Sequence, residues 1–315
     1  MLHVMGDFIS MDYLLVCISM LCIVLTFGVN KIYQSRIIKN TSGLLLFSFA
    51  CQLFVILLLL IINLFSIKLT TFSLLLSIVA AVAYSGFAIL SSIAFKYGKM
   101  STFSMFLMIG GMFLPFLYGI IFLNETITVW KIIGMVLLIG SLITNSLFET
   151  KNDSSKTKTK PIFWVICILA FILNGSSSII TKIHATNAQS SDSLDFLFMT
   201  SAFTAVFALC GFAISFAIQK SKRIDTFEEH KPISSKMILF FLLLSLLGGS
   251  FIVGSTFCNI TVAKTMPAVI EYPFLTGGTT ILTALFALAF FKEKITKPCA
   301  ICLIVMLAGT ILFIF

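Results

Sequence analysis

Phe122-Leu-Asn-Glu125-Thr-Ile127-Thr128 returns 168 residues later as Phe290-Phe-Lys-Glu293-Lys-Ile295-Thr296. Each copy opens the last strongly apolar segment of its half of the chain. The same offset pairs Lys96 with Lys264, Gly86 with Gly254 and Gly110 with Gly278. One internal repeat in a strongly apolar chain predicts a carrier built from two related halves.

The composition sets the class. Of 315 residues, 59% are hydrophobic and 10% are charged. Soluble domains carry about 25% charged residues, so the chain reads as a polytopic membrane protein whose main surroundings are the lipid bilayer. The net charge of +9 does not point to nucleic acid. Its Lys and Arg residues sit in short gaps between apolar segments, where they act as topology signals. Cys17, Cys22, Cys51, Cys167, Cys210 and Cys258 lie inside apolar runs and read as small hydrophobes. Cys299 and Cys302 form a CxxC without a second Cys or His pair beside it. Residues 1–12 have no basic stretch, and the first apolar run is long enough to stay as a helix.

A spanning helix takes about 20 apolar residues. Ten such segments are predicted, at 13–30, 43–66, 71–95, 100–123, 128–148, 161–181, 195–218, 236–263, 267–291 and 297–315. The expected fold is all-α, with ten transmembrane helices. The Lys-rich stretch 151–160 divides the chain into five-helix units at 1–150 and 161–315. An odd helix count per unit makes the second enter the membrane from the opposite side, so the repeats are expected to be inverted. Val29-Asn-Lys31-Ile32-Tyr33 and Ile180-Thr-Lys182-Ile183-His184, at the ends of the first and sixth segments, match in style.

Orientation follows from the basic residues. Odd-numbered loops hold seventeen Lys and Arg, and even-numbered loops hold Lys68, Lys131, Lys182 and Lys264. The positive-inside bias puts the odd loops in the cytoplasm and both termini outside a plasma (inner) membrane. Trp130 and Trp164 stand at segment starts, where interfacial anchors are expected.

The pattern Glu125, Thr128, Gly134 and Gly140 resembles the end of a repeat in the drug/metabolite transporter superfamily, EamA type. The second half supplies Glu293, Thr296 and Gly309, with Cys302 where a glycine is usual. Ala94-Phe95-Lys96-Tyr97 is similar to the end of that family's third helix. The resemblance covers essentially the whole chain, and the half-sized small multidrug resistance exporters share the style. It implies a ten-helix fold with a central cavity. Helices one, three, four, six, eight and nine would line it, and helices five and ten would pack outside. Family members commonly keep both termini in the cytoplasm, opposite to the charge count here.

Glu271, at the start of the ninth segment beside Tyr272 and Pro273, is the sharpest site candidate. An ionisable group inside a span costs roughly 2.5–3.5 kcal/mol on insertion scales and marks a functional hypothesis. Proton coupling is one reading, and a cap on a helix start is the other. Lys31 and Lys182 end matched helices and could bind an anion or reach the interface. Asn30, Tyr84, Asn174, Asn259 and Tyr97 are further polar groups at cavity depth, each able to bridge helices instead. Glu125 and Glu293 read as dipole complements at helix starts. Asp192 and Asp195 read as solvated, and His184 as interfacial.

No P-loop, HExxH or GxSxG occurs, so neither ATP drive nor an enzymatic, metal or cofactor role is expected. The expectation is a secondary transporter of a small organic metabolite or drug, working by alternating access as a monomer or homodimer. Export, with proton coupling as one option, is favoured; an uptake permease and a non-transporting receptor or structural protein stay open.

Overall fold

A computed structural model describes the backbone at residues 2–36, 41–94, 97, 100–152, 161–221, 235–292 and 296–315. Ten α-helices fill it: α1 Leu2–Arg36, α2 Thr41–Ile62, α3 Thr71–Ala94, α4 Met100–Phe122, α5 Val129–Asn152, α6 Pro161–Thr186, α7 Ser193–Ser221, α8 Ser235–Val262, α9 Ala268–Phe291 and α10 Lys297–Ile311. Nine of them, among the described residues, are long and apolar enough to cross a membrane. The corresponding run in α3 is Thr71–Gly86. The chain is a multi-pass helical membrane protein.

The helices exceed the predicted segments where polar residues extend an apolar run. α1 starts at Leu2 rather than near residue 13, and α5 continues to Asn152, past the predicted loop start at Glu149. Apolarity marks the part of a helix that meets lipid, whereas backbone hydrogen bonding carries on into the interface. Glu293 and most of the linker 151–160, including Ser155, lie outside the described residues.

Small residues set the closest crossings. A Cβ on Gly110 of α4 would run into the Phe171 carbonyl of α6, and one on Gly175 of α6 would lie 2.6 Å from the Gly110 oxygen. On α5 and α10, a Cβ on Gly134 would lie 2.8 Å from the Gly309 oxygen. Without a hydrophobic drive between helices in lipid, close backbone packing of this kind holds a bundle together. A core of Met112, Phe116, Leu138, Val269, Met306 and Phe313 ties α4, α5, α9 and α10 into one side of the molecule. Trp130 and Trp164 are half exposed, as interfacial anchors require.

The opposite side is built by α1, α2, α3, α6, α7 and α8. Two apolar layers cross it. One contains Val29, Tyr33, Phe47, Cys51 and Leu244, and the other Val55, Leu59, Ile180, Phe196, Leu197 and Ile260.

Candidate functional site

A cavity of about 460 Å³ lies among these six helices. α1 contributes Thr26, Phe27 and Asn30; α2, Ser48 and Gln52; α3, Tyr84. α6 contributes Asn174, Ser177, Ser178 and Thr181, α7 Thr200, Ser201 and Thr204, and α8 Ser255, Thr256 and Asn259. Among the described residues, fifteen of the twenty-one that line it carry a hydroxyl or amide, and none is charged. The volume falls within the range of roughly 300–1,000 Å³ typical of small-molecule sites.

The wall differs from the one the family resemblance implied. α2 and α7 stand where α4 and α9 were expected. α4 and α9 pack behind α6 and α1, and on each other in the core with α5 and α10, so they stand outside the cavity wall.

The polar side chains are held by short local bonds. Thr26 donates to the Cys22 carbonyl at 2.9 Å, Ser177 to Asn174 at 2.7 Å, Thr181 to Ser177 at 3.0 Å and Thr204 to Thr200 at 2.7 Å. The Asn174 amide donates to Leu107 O of α4 at 2.7 Å. Ser19 donates to Asn259 Oδ1 at 2.7 Å, joining α1 to α8. The Tyr84 hydroxyl bonds to Thr181 and Ser177. Two wall atoms, Gln52 Oε1 and Thr200 Oγ1, are buried without a partner.

The predicted site residues fall into two groups. Asn30, Tyr84, Asn174 and Asn259 line the cavity together. Glu271, Tyr272, Lys31 and Lys182 do not. Tyr272 stands behind the wall, and its hydroxyl donates to Ser178 O at 2.8 Å. Lys182, 3% exposed, donates to Ala263 O at 2.8 Å and Met266 O at 2.5 Å, clamping the α8–α9 turn. Its sequence counterpart Lys31 is exposed, with its ammonium 4.4 Å from the centre of the Phe291 ring. Glu271 is 1% exposed, and neither carboxyl oxygen has a hydrogen-bond partner. Lys182, Glu125 and Asp12 are the charged groups that act on it. Tyr97 packs with the cluster of Ala94, Phe103 and Phe163, away from this site.

Three residues differ from their sequence reading. Asp195 is 2% exposed rather than solvated, because Asn63 at the end of α2 donates to it at 2.7 Å. His184 is 1% exposed rather than interfacial: its ring stacks on Phe196 and its Nε2 meets Ser73 Oγ at 3.1 Å. Glu125 does complement a helix start, but the helix is α9. Its oxygens accept the Ala268 and Val269 N–H groups, each at 2.9 Å.

Sequence reasoning missed Gln52 and the α7 hydroxyls. The legible signal was Thr200 and Thr204, four residues apart on one helical face inside an apolar run.

No protein-family model matches the chain, and no curated protein matches it. A solved structure known only as a crystal structure of a protein superposes with a TM-score of 0.64 at 11% identity, covering 96% of each chain. At that identity the likeness concerns the fold alone.

Proposed function

We propose that the chain is a secondary transporter that moves a small organic solute through this cavity by alternating access between two inverted five-helix halves. A fit to the drug/metabolite transporter superfamily belongs to the same proposal. The observation that carries it is the cavity itself, walled by α1–α3 of one half and by α6–α8 of the other. Repeat-built carriers place their substrate at such a junction.

The packing supports two equivalent halves. Adding or subtracting five converts α1·α8 into α6·α3, α4·α6 into α9·α1, α2·α8 into α7·α3 and α4·α5 into α9·α10; every one of these pairs is in contact. The pairs α2·α7, α4·α9 and α5·α10, also in contact, convert into themselves. The repeated glycines follow suit. Gly86 and Gly110 face α6 at Leu173 and Phe171, while Gly254 and Gly278 face α1 at Cys22 and Met20.

Each half also brings one stacked ring pair to the end of its first helix. Tyr33 lies on Phe47, with centroids 4.0 Å apart and planes at 11°. His184 lies on Phe196, at 3.8 Å and 15°. In inverted halves these two pairs would stand toward opposite membrane faces, and Phe196 of the second lies on the cavity wall. Opening one lid while the other stays stacked is the geometry that alternating access needs. The charge bias puts the Tyr33 lid on the cytoplasmic side of a plasma membrane.

Purified protein in liposomes, given a panel of labelled metabolites, tests the reading. Counterflow of at least one solute above empty liposomes is expected, and its loss in Asn259→Leu. Absence of any flux from protein that is folded and membrane-inserted would favour a receptor or structural role.

A further inference from the structure

The hydroxyl-rich wall looks amphoteric by composition, but several of its protons are already committed within the protein. Thr26, Ser177, Thr181, Thr204 and Ser255 each spend their proton on a carbonyl of their own helix. Ser177 and Thr181 also meet the Tyr84 hydroxyl, so Thr26, Thr204 and Ser255 are the three of these whose lone pairs are left to the cavity. Gln52 Oε1 is a further acceptor with no partner. The Asn174 amide, a source of protons, is turned to Leu107 O of α4. Asn259 is held through its oxygen by Ser19, which leaves its NH₂ group as a donor.

Charge is arranged in the opposite way. Among the described residues, the cavity wall holds no Asp, Glu, Lys, Arg or His. Glu271 and Lys182 are sealed behind it, with Tyr272 bonded across to Ser178 on the wall. An ion at this depth would leave water without a counter-charge on the wall, which is costly in a membrane protein. An uncharged solute that brings many donors satisfies the free acceptors and incurs no such cost.

We infer that the cavity is a binding site for an uncharged, polyhydroxylated solute, recognised through its O–H donors. Phe27 and Phe196 on the wall give its carbon skeleton apolar cover. Thr200, whose hydroxyl is buried and unpartnered, is a point where the solute is held rather than the helix. The inference rests on the transport reading for its biological use, but the site's selectivity can be measured without transport.

The test is thermal unfolding of the full chain in lipid nanodiscs with matched probes. Sorbitol and uridine are the uncharged donors. Their fully O-methylated ethers keep the oxygens and lose the sugar or polyol protons. Gluconate, glucosamine and uridine monophosphate add a charge to a similar skeleton. A ligand that binds only the folded state raises the unfolding temperature. Sorbitol or uridine is expected to do so, with the shift lost on O-methylation and absent for the charged partners. Thr200→Val should abolish the shift while the unliganded protein unfolds as before; Asn259→Leu, which also removes the Ser19 bond, should abolish it from a lower starting temperature, and if it fails to fold, Thr200→Val decides. An equal shift with the methyl ethers would show selection by shape, and a shift with a charged partner alone would show an ion site. Either result overturns the inference, as does the absence of any shift. Stabilisation by sorbitol or uridine without liposome flux would leave this inference standing and remove the transport reading.

Discussion

The Glu125 carboxylate accepts the Val269 N–H at 2.9 Å, across 144 residues of chain. Its other oxygen accepts the Ala268 N–H. α9 begins after Pro267 without a side-chain cap of its own, so a residue between α4 and α5 supplies one. Two features let Glu125 reach it. Asn124 takes a left-handed φ of 52°, and Gly119 leaves room where a Cβ would press on the carboxylate. Replacing Glu125 by Ala exposes two helix-start donors and removes a charge that complements the dipole. The expected loss is about 1–2 kcal/mol, with Glu125→Gln between the two. Chemical denaturation in detergent micelles measures it; equal stability of Glu125→Ala and the parent would contradict the cap.

The α4–α6 crossing gives a sharper steric test. Gly110→Val places methyl groups where the Phe171 carbonyl stands, and backbone cannot yield as a flexible side chain does. The expected cost is about 1–3 kcal/mol or more. Gly140 has nothing within 4 Å of a built Cβ. Gly140→Ala should therefore be neutral or stabilising by up to about 1 kcal/mol, through helix propensity. Thermal unfolding of the two variants side by side reads the contrast.

The stacked lids should behave as coupled pairs. A double-mutant cycle on Tyr33→Leu and Phe47→Leu is expected to return a coupling of about 0.5–1.5 kcal/mol. The same cycle on His184→Leu and Phe196→Leu should give a similar value. Additive effects at both pairs would deny the rings a closing role.

Glu271 decides whether protons take part. A buried carboxyl without partners, near Lys182, is where a coupling proton could be carried. Glu271→Gln is then expected to keep solute counterflow and to lose the pH dependence of net flux. Unchanged pH dependence in that variant would reject proton coupling at this residue.

The Lys-rich linker carries the orientation prediction. A single cysteine at Ser155, in a variant lacking other accessible cysteines, should react with a membrane-impermeant reagent in inside-out vesicles and not in intact cells. Labelling in intact cells would reverse the orientation and put both termini in the cytoplasm.

The apolar runs alone were enough to place ten helices, because a span must satisfy its own backbone bonds in lipid. The doubled Phe-x-x-Glu-x-Ile-Thr stretch pointed to a repeat, and the glycines it pairs lie at helix contacts, Gly86 and Gly110 against α6, Gly254 and Gly278 against α1. Asn30, Tyr84, Asn174 and Asn259 were legible as cavity candidates because polar groups in apolar runs are costly unless used. What no residue pattern conveyed was which helices wall the cavity. That depended on α4 and α9 packing behind α6 and α1, at close crossings where Gly110, Gly175 and Gly278 meet the neighbouring helix. The sequence likewise marked Glu125, Asp195, His184 and Lys182 as polar without naming their partners. Those partners come from other helices up to 144 residues away. Local pattern therefore determined what each segment is, and only long-range packing decided which charges are sealed away and which neutral groups line the cavity.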